Sequence, residues 1–87
     1  MFVIMVYDIG EKRVTKILKT SRKYLNWVQN SVFEGNLTRA KFEKLKSELK
    51  KTIKNKEDSV IFYTFRTKKY HKKTVIGLDK SPNGNIL

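Results

Sequence analysis

Seven consecutive apolar or aromatic residues, Met1 to Tyr7, end on the carboxylate of Asp8. An unbroken apolar run containing Val3, Ile4 and Val6 predicts a strand buried on both faces rather than an amphipathic helix. Alternation along it sets Phe2, Ile4, Val6 and Asp8 on one side and Val3, Met5 and Tyr7 on the other. Beyond Gly10 the period changes. Val14, Ile17, Leu18 and Leu25 recur at helical spacing, Ser21 completes the stripe, and Lys12, Arg13, Lys16, Lys19, Arg22 and Lys23 take most of the remaining positions. The predicted first helix is therefore amphipathic and strongly cationic. The segment from Trp27 to Gly35 is rich in β-formers and closes on a Gly-Asn turn signal; it predicts one strand, bent at Asn30-Ser31. A second helix is expected from Arg39 to Lys54, with Thr38 as N-cap, Leu37 and Phe42 at hydrophobic-staple spacing, and Phe42, Leu45, Leu49 and Ile53 as the core face. A second doubly apolar strand follows from Asp58 to Phe65, then a basic connector from Arg66 to Lys73, a short strand from Thr74 to Leu78, and a polar tail over residues 79–87.

Strand, helix, strand, helix, strand, strand describes a small α+β sandwich formed by one domain over residues 1–78. Right-handed crossovers place both helices on one face of the sheet. The other face would then expose the second apolar side of the first strand and of the Asp58–Phe65 strand, an aggregation hazard in a monomer. A second copy of the chain is the expected cover, so the predicted state is a homodimer.

Composition sharpens this picture. Eighty-seven residues lie near the lower limit for a self-sufficient core. There is no cysteine and a single histidine, His71, which removes disulfides, thiolate metal sites and a His-rich zinc site. The opening apolar run is too short to span a bilayer and lacks the basic flank of a signal peptide, pointing to a cytoplasmic protein without membrane association. Twenty Lys and Arg against eight Asp and Glu give a formal charge of +12. A Lys-rich genome or thermophilic bias would enrich Glu alongside Lys, which has not happened here. The excess favours a polyanion, nucleic acid ahead of a membrane surface.

In so basic a chain, a carboxylate closing an apolar strand is the first candidate for chemistry. If Asp8 lies on the dimer face, two copies meet near the two-fold axis. Two carboxylates facing a phosphate suit Mg²⁺, which takes few protein ligands and keeps several waters, and such an ion activates water for phosphodiester cleavage. The alternative is that Asp8-Ile9-Gly10-Glu11 forms a turn and capping box before the first helix. Ser31 and Ser59 have no triad partners, and no glycine-rich phosphate loop is present. Arg13, Lys16, Lys19 and Arg22 are the candidate phosphate contacts.

Taken together, Val6-Tyr7-Asp8-Ile9, Lys12-Arg13-Val14 with Lys16, Val28 to Gly35 and Leu37-Thr38 resemble the Cas2 family of CRISPR-associated proteins, and the resemblance extends through Val75-Ile76-Gly77. It implies a ferredoxin-like sandwich, an antiparallel sheet with two helices on one face, in a homodimer. It also implies a role in spacer acquisition, as a dimeric scaffold that lies on duplex DNA between dimers of the CRISPR integrase. Members are described as metal-dependent nucleases, so Mg²⁺-dependent cleavage of single-stranded RNA or DNA is implied as well. On matching positions Asp8 is the Mg²⁺-binding aspartate, Tyr7 its neighbour and Arg13 a basic contact. Ser31 and Phe33 lie beside the active centre or dimer interface. Two other readings stand beside this one: a ribonuclease toxin of the same fold, and a nucleic-acid-binding module that never cuts.

Overall fold

A computed structural model of the chain describes residues 1–67 and 70–81. Its elements are β1 (Phe2–Asp8), α1 (Glu11–Arg22), β2 (Asn26–Gln29), β3 (Val32–Asn36), α2 (Arg39–Lys50), β4 (Ser59–Thr67) and β5 (Tyr70–Gly77). They form one five-stranded sheet in the order β2-β3-β1-β4-β5, with antiparallel neighbours throughout. The first four strands of the chain with α1 and α2 make the split βαβ arrangement of ferredoxin-like folds. The fifth strand extends the sheet beyond β4.

Strand parity follows the sequence pattern. Val3, Met5 and Tyr7 of β1 are buried with Phe33, Val60 and Phe62 against Ile17, Phe42, Leu45 and Leu49 of the helices. Burial of this set supplies most of the driving force for folding, at roughly 25 cal/mol per Å² of apolar surface. The stripe serine, Ser21, is fully enclosed, its hydroxyl 3.7 Å from the sulfur of Met5. On the opposite face, β1 sets Phe2, Ile4 and Val6 against Phe65, Tyr63 and Ile61 of β4. Among the described residues no helix packs on that face, yet it is not bare as the two-sided apolar pattern predicted: Ile61 and Tyr63 are buried there and Phe2, Ile4, Val6 and Phe65 are half-buried.

Four boundaries differ from the sequence reading. The expected single strand over Trp27–Gly35 is a hairpin, because Asn30 adopts φ 43° and reverses the chain; asparagine enters the left-handed region more readily than other non-glycine residues. The Trp27 indole N–H donates to the Asn30 carbonyl at 3.1 Å and buttresses the turn. Second, α2 stops at Lys50 although Ile53 remains buried. The Lys54 N–H is drawn to the Asp58 carboxylate at 2.8 Å instead of continuing the helix. Third, β5 starts at Tyr70 and takes up half of the expected connector, pairing with β4 as an edge strand whose lysines are compatible with an exposed position. Fourth, the capping-box alternative for Asp8 to Glu11 does not form: Asp8 is the last residue of β1, and the N-cap is Gly10 without a side-chain cap bond. Thr38 does cap α2, accepting from the Lys41 N–H at 3.2 Å. Of the polar tail, residues 82–87 lie outside the described residues.

Candidate functional site

The end of β1 and the two loops beside it are organised by one buried carboxylate, Asp58. It is fully enclosed at the start of β4 and accepts four hydrogen bonds: from Gly10 N at 2.8 Å, Lys54 N at 2.8 Å, Arg13 Nε at 2.6 Å and Arg13 Nη2 at 2.8 Å. The paired guanidinium is the main reason its pKa lies well below the usual carboxylate range, and the backbone donors act in the same direction against the desolvation penalty. The same pairing raises Arg13. A Cβ at Gly10 would clash with the Arg13 guanidinium, so a side chain there would push Arg13 from its place on Asp58. The carbonyl of Asp58 accepts from Leu78 N at 2.9 Å, which anchors the end of β5 to the same point.

This hub fixes the turn that follows Asp8. Asp8 is paired in register with Ser59 across β1 and β4, on the face the helices leave open. Its side chain is 69% exposed, and Oδ2 lies 3.5 Å from the ammonium of Lys80. Lys80 Nζ also donates to the Glu57 carbonyl at 2.6 Å, so the segment after β5 crosses back toward the end of β1. Asp79 and Ser81 are held beside it by Lys73 Nζ, each at 2.8 Å. The resulting hollow of about 130 Å³ is lined by Val6, Tyr7, Asp8, Ser59, Ile61, Lys80 and Ser81.

The remaining predicted site residues divide. Tyr7 does not share the hollow through its phenol: alternation turns the ring to the helix side, 6.1 Å from Phe33, with its hydroxyl donating to the Asn30 carbonyl at 3.4 Å. Phe33 is fully buried in the core, so it supports Tyr7 and reaches neither an open site nor an exposed interface in this chain. Ser31 adjoins through its backbone, its carbonyl accepting from Tyr7 N at 3.1 Å. Arg13 is committed to Asp58, with Glu57 3.8 Å away, which removes it as a free phosphate contact. Lys16, Lys19 and Arg22 are exposed along one side of α1, three residues apart. Sequence reasoning missed Asp58 and Lys80. The one local hint for Asp58 is an acidic residue opening an apolar strand; its partner lies 45 positions away.

The donor set at Asp8 is oxygen only, carboxylate plus neighbouring hydroxyl, which is chemistry that Mg²⁺ accepts. Among the described residues no three His, Cys, Asp or Glu side chains converge on a common point.

The model of the family described as CRISPR associated protein Cas2 matches residues 1–73. The chain belongs to the Cas2 family. It is 55% identical over 87 residues, the full length of both proteins, to the CRISPR-associated endoribonuclease Cas2 of Thermotoga maritima. To the protein of the same name from Dictyoglomus turgidum it is 53% identical, again over both full lengths. Among solved structures, a crystal structure of Cas2 superposes with a TM-score of 0.74 at 45% identity, covering 94% of this chain and 92% of that one. Streptococcus pyogenes Cas2 at pH 6.5 gives 0.69 at 37% identity, over 75% and 86% of the respective chains. These likenesses agree with the α+β architecture seen here. No helix among the described residues is long and apolar enough to cross a membrane.

Proposed function

We propose that this Cas2-family protein acts as a homodimer that binds nucleic acid in CRISPR adaptation and hydrolyses phosphodiesters at a Mg²⁺ site shared by two Asp8 carboxylates. The observation that carries the reading is the exposed Asp8 side chain at the rim of the sheet face on which, among the described residues, no helix packs. A second copy meeting that face brings a second carboxylate and covers Phe2, Ile4 and Val6. The names of the full-length relatives, endoribonucleases, support cleavage of single-stranded RNA, with DNA as the alternative substrate.

In this reading the two Asp8 carboxylates would hold the ion. When bound, Mg²⁺ supplies charge neutralisation and an activated water. Lys16, Lys19 and Arg22 steer the polyanion and neutralise backbone phosphates. The scaffold role, on duplex DNA beside integrase dimers, uses the same cationic surface without the chemistry. A purely binding protein is the second reading, favoured by the Lys80 ammonium that already neutralises Asp8 in the single chain.

The deciding experiment is Asp8→Ala in highly purified protein. Mg²⁺-dependent cleavage should vanish while salt-sensitive DNA binding stays within about two-fold of the parent. Cleavage that survives the substitution removes the metal-site reading; a parent that binds DNA and never cuts selects the binding role.

A further inference from the structure

A second concave feature lies away from Asp8. It is a cleft of about 390 Å³ between α2 and the paired strands β4 and β5, on the helix side of the sheet. Sheet order explains why it exists: β5 extends the sheet past β4, and while Ile76 at its end joins the core, Tyr70 and Lys72 at its start are left exposed on the helix side. Phe42, edge-on to Phe62 at 5.1 Å, forms the apolar floor. Lys46 lies over the Phe42 ring at 4.5 Å and is tied to Glu43 at 2.9 Å, so its ammonium is held in place rather than swinging in solvent. Arg39, Arg66 and Lys72 line the walls as exposed cations. Glu43 is the one acidic residue lining the cleft. Tyr70 stands at the mouth with 74% of its surface exposed, the most exposed of the large hydrophobic side chains among the described residues.

Cations around an apolar floor, beside a bare aromatic face, match what single-stranded nucleic acid presents: a phosphate backbone and unpaired bases with π-faces. The volume suits one nucleotide. A duplex keeps its bases paired and stacked, and offers Tyr70 nothing to stack on.

We propose that this cleft binds a single-stranded segment of RNA or DNA, with phosphates on Arg39, Arg66 and Lys72 and a base stacked on Tyr70. The inference rests on the nucleic-acid-binding reading above and deepens it. The cleft is a separate surface from the Asp8 hollow: the two share no lining residue. A strand held here is gripped outside the proposed cutting site, which gives the protein a preference for unpaired over paired substrate that the α1 cations alone do not supply.

The test uses the full chain without Mg²⁺, a fluorescein-labelled 12-nucleotide oligo(dT) and a labelled 12-base-pair duplex, read by anisotropy. Tyr70→Ala should weaken oligo(dT) binding roughly 10- to 100-fold, the loss expected for one stacked base, with duplex affinity unchanged. Tyr70→Phe, which keeps the ring, should bind both as the parent does. Joint Arg66→Glu and Lys72→Glu should flatten the salt dependence for oligo(dT) by about 0.7 in log–log slope for each lost phosphate contact. Equal loss for both ligands in Tyr70→Ala, no loss for either, or failure of Tyr70→Phe overturns the proposal. A parent that binds duplex but no single strand overturns this inference alone, whereas a parent that binds neither removes the nucleic-acid reading with it.

Discussion

Asp58→Ala should cost more stability than any surface change in this protein. The substitution removes a carboxylate that is fully enclosed and accepts two bonds from Arg13 and one each from the Gly10 and Lys54 amides. What remains is a guanidinium with only 16% side-chain exposure and two backbone donors without acceptors. Removing one partner of a buried pair typically costs about 3–5 kcal/mol, mostly from the charge left behind. A chain of 87 residues has about 4–13 kcal/mol of net stability, so this single change removes a large fraction of it. The double-mutant cycle with Arg13→Met isolates the pair: Arg13→Met alone leaves Asp58 with its two amides, and the coupling should be about 1–3 kcal/mol. Urea denaturation followed by far-ultraviolet circular dichroism, at one fixed protein concentration so that any dimerisation contributes equally, measures all four proteins. The pH dependence has a defined sign. The folded pKa of Asp58 lies below its unfolded value near 4, so the unfolded state binds the extra proton. The contribution is complete at neutral pH, and is lost as pH falls from about 4 toward the lower folded value. A loss under about 1 kcal/mol for Asp58→Ala, or additive single and double variants, refutes the hub.

Two further outcomes follow from the geometry. Gly77 has φ +81°, and a Cβ there would lie 2.2 Å from the Asp58 carbonyl oxygen, so Gly77→Ala should lower the urea midpoint by the equivalent of roughly 2 kcal/mol or more. Joint Glu substitution of Lys16, Lys19 and Arg22, all exposed on α1, should leave the thermal midpoint nearly unchanged but reduce the salt slope of duplex binding by about 0.9 for each phosphate they contact; an unaltered slope places the duplex elsewhere.

Local pattern determined a large part of this protein. Alternation in Met1 to Tyr7 alone assigned Asp8 to the sheet side shared with Phe2, Ile4 and Val6, and the register with β4 keeps it there. Helical spacing marked Ile17, Leu45 and Leu49 as core, and Thr38 as a cap, because side-chain direction in a regular element repeats with a fixed period. That no helix packs on the second face, among the described residues, was legible for the same reason: two strands were apolar on both sides and only two helices were available; the burial of Ile61 and Tyr63 on that face was not. What the sequence left open depends on separation along the chain. The partner of Arg13 is 45 residues away and that of Asp8 is 72 residues on, at Lys80, distances over which no local period carries information. The reversal at Asn30 looks from the sequence like a bend, because whether a strand folds on itself depends on the neighbour it can pair with. Tyr7 and Phe33 looked like site residues beside Asp8 until tertiary packing put them back to back with it, inside the core. Sequence thus settles which face each side chain takes. Only the folded sheet settles which distant groups share that face, because pairing and burial there are decided by the whole core at once.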